Sequence, residues 1–163
     1  MIMLEASYYI GVDDHYWYII ISAVGTLLDI IDSNSKLGET SRVGIIQFSH
    51  EKAVEVELSE NKTRAEIDPS TFVPLGGASQ LYYPLLLANS TLKNNTRFVG
   101  GSRIPATQGV IVFSDGRYGG PKDGSLIPAM KQMMDDGIHI ILIGKSYLNH
   151  TMQSLNDSQW KTQ

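Results

Sequence analysis

Gly109-Val-Ile-Val-Phe-Ser-Asp115-Gly116-Arg117 is the stretch that decides the fold. Four apolar, mostly β-branched residues run straight into an acid and then a glycine. That pattern predicts a strand buried on both faces, stopping at a carboxylate where the chain turns. Open α/β sheets hold their ligands outside the carboxyl ends of the strands, which places Asp115 where binding would occur. An Asp-Gly pair also suits a plain turn, so the segment has to be weighed with its neighbours.

Working outward, Ser7 to Val12 reads as the first strand, from its aromatic and β-branched residues. Asp13-Asp14 ends it and can cap a long helix from His15 to about Ser33. The apolar set of that helix, from Tyr16 through Ile20, Val24 and Leu28, keeps helical spacing. Within it, Tyr16-Trp17-Tyr18 is expected to pack the helix on the sheet. Val43–Ser49 and Ala53–Leu58 are strands joined by only His50-Glu-Lys52. So short a link excludes a parallel crossover and predicts an antiparallel hairpin. Val54, Val56 and Leu58 alternate with Glu55 and Glu57, as an edge strand with one wet face should.

A short helix is expected over Lys62–Ile67, and a longer one from a Ser79 cap to about Lys93. Asn94 to Gln108 reads as a polar surface loop. Ser125 to Asp136 is helical, ended by Gly137, with Met130 and Met134 at core-facing spacing. Ile138 to Ile143 is the last clear strand, and Leu148 to Trp160 suggests one more short helix.

Composition narrows the function. A chain of 163 residues is one domain on length, 1–163, and can bury roughly 70% of its unfolded surface. A net charge of −4 argues against general nucleic-acid binding, which needs a basic footprint. No run approaches a membrane span of about 18 apolar residues, so insertion is not expected. Met1 to Glu5 lacks the basic and long apolar regions of a signal peptide. Cysteine is absent, which removes disulfides and thiolate metal sites. Asn61, Asn89, Asn94, Asn149 and Asn156 each begin an N-glycosylation acceptor pattern. Those patterns favour a secreted or lumenal history, and with no leader they imply one module of a larger chain.

Four segments in order, Arg42-Val-Gly-Ile-Ile-Gln-Phe-Ser49, Leu75-Gly-Gly-Ala-Ser79-Gln-Leu81, Gly109–Gly116 and Ile138–Gly144, resemble a von Willebrand factor type A (VWA) domain. The resemblance covers about residues 8 to 155. It implies an α/β fold: a three-layer doubly wound sheet, mostly parallel with one antiparallel edge strand. The family continues with a further strand and a closing helix, for which this chain has no obvious material, and a C-terminal truncation is expected.

The resemblance also implies a metal-ion-dependent adhesion site built by three loops. In the family the first loop reads aspartate-x-serine-x-serine, the second gives a threonine and the third an aspartate. Asp115 matches the third loop, and Ser79 stands for the threonine. Asp13 is expected in the first, because it ends the expected first strand. His15 and Trp17 then replace the two serines. A second register puts Ser7 in the aspartate position, followed by Tyr9 and Gly11, and both stay open. Hydroxyl and carboxylate oxygens suit a hard cation, Mg²⁺ or Mn²⁺. A carboxylate of a protein partner, in the matrix or on a cell surface, would complete its shell. Gly77, Arg117 and Tyr118 would frame that partner.

The implied activity is extracellular protein–protein adhesion and not catalysis. The alternative is a metal-independent VWA scaffold in a larger assembly. A receiver-like phosphoryl-transfer domain could use Asp13-Asp14, Asp115 and Lys145, but the hairpin from Val43 to Leu58 opposes an all-parallel sheet. Neither the dinucleotide glycine pattern nor a nucleophile-elbow serine motif occurs.

Overall fold

The chain's computed structural model describes residues 1–11, 14–50, 52–58, 62–94, 98–99, 102–103, 107–116 and 125–144. The first strand, β1, is Ile2–Glu5, and all four of its residues are buried. The expected strand over Ser7–Val12 is instead led by a short helix, α1 (Tyr8–Gly11). Strand propensity in Tyr8-Tyr9-Ile10 yields to tertiary context, because the central strand needs a continuous apolar run and Ile2-Met3-Leu4 supplies it.

The remaining strands are β2 (Ile45–Phe48), β3 (Lys52–Val56), β4 (Phe98–Val99), β5 (Ser102–Arg103), β6 (Gln108–Ser114) and β7 (Ile138–Gly144). The helices are α2 (Asp14–Ser35), α3 (Tyr82–Asn94) and α4 (Leu126–Asp135). Five strands form one sheet in the order β3-β2-β1-β6-β7. β1 pairs in parallel with β2 and β6, and β6 with β7. β3 runs antiparallel to β2 at the edge, as its short connection and alternation require. β4 and β5 form a separate hairpin inside the stretch expected to be a loop. The expected helix over Lys62–Ile67 is a single 3-10 turn, Arg64–Glu66, closed by reciprocal Thr63–Glu66 bonds.

Strand alternation divides the core in two. Ile2, Leu4, Ile45 and Phe113 face α2 and meet Trp17, Ile20, Val24 and Leu28. Met3, Ile46, Phe48, Val110 and Val112 face the other way and meet Leu85, Ala88 and Leu92 of α3 and Met133 of α4. Three layers result, with parallel strands covered on both faces.

In the aromatic cluster of α2, Trp17 is buried and its indole N–H donates to the Phe72 carbonyl at 3.3 Å, whereas Tyr18 is 70% exposed. On α4 Met130 packs partly buried against the core as expected, but the buried methionine is Met133, and Met134 is 40% exposed. Although no long apolar run was expected, His15–Ser35 is long and apolar enough to cross a membrane by length and composition. Its Trp17–Ile20–Val24–Leu28 stripe is spent on the sheet.

Candidate functional site

Parallel strands β2, β1 and β6 all end on one rim of the sheet. The chain leaves β1 through Ala6 and Ser7, β2 through Ser49 and His50, and β6 through Asp115 and Gly116. Leu75–Gln80 closes over that rim. Main-chain bonds knit these loops together. Ala6 N–H donates to the Phe48 carbonyl at 2.7 Å, and Gly76 N–H donates to the Ala6 carbonyl at 2.9 Å. Tyr8 N–H donates to the Gly77 carbonyl at 2.8 Å, and Gln80 N–H to the Ser49 carbonyl at 3.1 Å.

Gly76, Gly77 and Gly116 have φ of +73°, +74° and +77°, a region that side chains with a Cβ rarely enter. At Gly77 the constraint is double, since a Cβ there would overlap the His50 ring. The Leu75-Gly-Gly sequence is therefore what lets this loop lie against the end of β2.

Within this cup sit Glu5, Ser7, Ser79 and Asp115, all buried, with Ser114 half-buried beside them. Glu5 is the hub. Its Oε1 accepts from the Ser7 hydroxyl at 2.7 Å. Its Oε2 accepts from the Ser114 hydroxyl at 2.5 Å and from the Asp115 N–H at 3.0 Å. Burial pushes the Glu5 carboxyl above its ordinary value, bonds from Ser114, Ser7 and the Asp115 N–H pull it back, and the charge of Asp115 adds to the rise.

Main-chain bonds tie the Gly76-Gly77 turn to Ala6 and Tyr8, the Asp115 N–H reaches Glu5, and Ser79 is buried two residues beyond Gly77. Asp13, Arg117, Tyr118, Asn61, Asn149, Asn156 and Lys145 lie outside the described residues, as does the stretch Leu148–Trp160. The position that Asp13 was expected to fill, the end of the first strand, belongs to Glu5. Counted from the end of β1, the first-loop spacing gives Glu5-Ala6-Ser7-Tyr8-Tyr9, a third register beside the two expected. Glutamate replaces the aspartate, Ser7 keeps the first hydroxyl and Tyr9 replaces the second serine. Sequence reasoning missed Glu5, and gave Ser7 only the aspartate's place in its second register, because an acid other than aspartate closes a four-residue strand. The signal that could have found them was the fully apolar Ile2-Met3-Leu4 run ahead of an acid, the same pattern that marked Asp115. Ser79 is not a helix cap, as α3 begins at Tyr82.

The donor set fits a hard divalent cation in kind. Every polar side chain of the cup offers oxygen, and two carboxylates share it. The Ser7 hydroxyl spends its proton on Glu5, which leaves its oxygen lone pairs for an acceptor role. Among the described residues, no group of three or more His, Cys, Asp or Glu side chains comes together, so the hydroxyls would have to share the ligation.

The profile of the von Willebrand factor type A domain matches residues 1–159. No curated protein is matched by the chain. Solved structures share its fold. Proximal thread matrix protein 1 of the mussel byssus superposes with a TM-score of 0.68 at 23% identity. The match covers 88% of this chain and 37% of that one. A second structure of the same mussel protein, with zinc in its MIDAS motif, has the same TM-score, identity and coverage. Manganese-loaded TRAP protein of Plasmodium vivax follows at a TM-score of 0.65 and 16% identity, covering 88% of this chain and 56% of that one. The chain thus spans about a third of the length of the mussel protein and about half that of TRAP.

Proposed function

Because the chain belongs to the von Willebrand factor type A domain family, we propose that it is a protein-binding adhesion module working through the loop rim at the ends of β1, β2 and β6. One observation carries this reading: three strand-end loops and the Leu75–Gln80 loop converge on a cup of buried carboxylate and hydroxyl oxygens. Extracellular work, as one domain of a larger chain, agrees with the glycosylation patterns. Trp17, Ile20, Val24 and Leu28 of α2 serve the core while Tyr18, Ile19 and Ile30 stay exposed, and this reading invokes no membrane insertion.

Ser7, Ser79 and Asp115 would hold Mg²⁺ or Mn²⁺, with Glu5 anchoring Ser7 beneath them. Such an ion, when bound, supplies a positive centre that lets an acidic partner approach an acidic cup. The chain's residues do the rest. Ser7 and Ser79 present hydroxyl oxygens, Asp115 presents charge at the floor, and Glu5 orients Ser7 and the start of the third loop. Arg117 and Tyr118, following Asp115 in sequence, are proposed to frame the partner with Gly77. The metal-loaded mussel and Plasmodium proteins make this architecture a reasonable host for such an ion.

Thermal unfolding with and without millimolar Mg²⁺ or Mn²⁺ tests the ion. A ligand at a hundredfold excess over Kd adds about 2.7 kcal/mol, a rise of roughly 5–10 °C for a domain of this size. Asp115→Ala should abolish the rise while still folding. No rise in the wild type would leave a metal-independent binding scaffold as the function.

A further inference from the structure

We infer that Glu5 is an internal strut that locks the third loop to the first, so that the shape of the binding rim is set before any cation arrives. β1 and β6 pair in parallel with Leu4 opposite Phe113, so Glu5 stands beside Ser114 where both strands end. From there one carboxylate reaches two loops. Oε1 takes the Ser7 hydroxyl of the first loop at 2.7 Å. Oε2 takes both the Ser114 hydroxyl at 2.5 Å and the Asp115 N–H at 3.0 Å. The Ser114 oxygen in turn accepts from the Gly116 N–H at 3.0 Å, which fixes the turn at its positive-φ glycine.

A chain of bonds therefore runs from Ser7 through Glu5 and Ser114 to Gly116. Its carboxylate end is buried and its bonds are charge-assisted, which makes them stronger than neutral pairs. An ion in the cup would also tie these loops together, from their outer oxygens. Glu5 ties them from beneath, using the amide of Asp115 and the hydroxyl of Ser114, neither of which is among the oxygens proposed to hold an ion. The strut does not depend on the adhesion reading. A rim that binds neither metal nor partner would still be locked.

Amide hydrogen exchange in EDTA tests it, with the β6 amides Ile111 to Phe113 as the reference for global opening. In wild type, Asp115 and Gly116 should be protected, and Mn²⁺ should change their rates less than threefold. Glu5→Leu should speed both at least tenfold while the β6 reference holds. Glu5→Gln keeps an acceptor for the third loop and should restore most of the protection. Ser114→Ala, which leaves Glu5 in place, should free Gly116 while sparing Asp115, and it serves if Glu5→Leu does not fold. Wild-type amides that exchange freely in EDTA and become protected only with Mn²⁺ would overturn the strut. So would unchanged Gly116 exchange in Ser114→Ala.

Discussion

Gly77 and Gly116 share a backbone conformation but not a neighbourhood, which separates two costs. A Cβ at Gly116 meets open space, so Gly116→Ala should cost only the left-handed penalty of roughly 1–2 kcal/mol. At Gly77 the same penalty applies and the Cβ also strikes His50, adding roughly 1–3 kcal/mol of overpacking. Urea denaturation of both variants should rank Gly77→Ala clearly below Gly116→Ala. Asp115 was legible in the sequence because a long buried strand led straight into it. Glu5 was not: its strand is four residues long, and the aromatic pair that follows it favours strand by propensity yet starts a helix. Local preference misled where the neighbouring strands β2 and β6, absent from any local window, chose the register.

Helices α3 and α4 are joined near their C-terminal ends by Lys93 Nζ and Asp136 Oδ2 at 2.6 Å. The Lys93 bond, with help from Gln132, holds the Asp136 carboxyl below its ordinary value. A depressed carboxylate contributes stability that is present above its unfolded value near 3.8 and lost as pH falls through the folded one. Lys93→Met should therefore lose less stability than wild type as pH drops from about 5 through that window, read by Tm against pH. The same helix separates two glycosylation patterns. Asn94 is exposed at the end of α3, whereas Asn89 lies mid-helix with its Oδ1 buried and unpartnered. Secretory expression followed by peptide mass spectrometry should find the glycan on Asn94 and not on Asn89. Element types were mostly legible because hydrophobic periodicity reports them. Helix faces were less so, and on α4 Met133, not Met134, reached the core. A rotation of one position changes the buried residue without changing the pattern.

Across the molecule, the sheet has two unlike edges. On one, β3 runs antiparallel, with Val56 and Leu58 buried and Glu57 exposed between them. The other edge strand among the described residues, β7, ends in Ile141, Leu142 and Ile143, all at least 44% exposed. The sequence reading got the layer order right because a short hairpin link and a buried parallel strand leave few topologies open. It did not foresee the exposure of Ile141, Leu142 and Ile143, since an apolar strand predicts its own burial. That edge governs how the polypeptide behaves in a tube. Among the described residues the outer ladder of β7 has no strand partner, and such groups flanked by branched apolar side chains invite strand-to-strand growth between molecules. Colloidal shelf life, more than thermal midpoint, will then set the concentration at which this polypeptide can be handled.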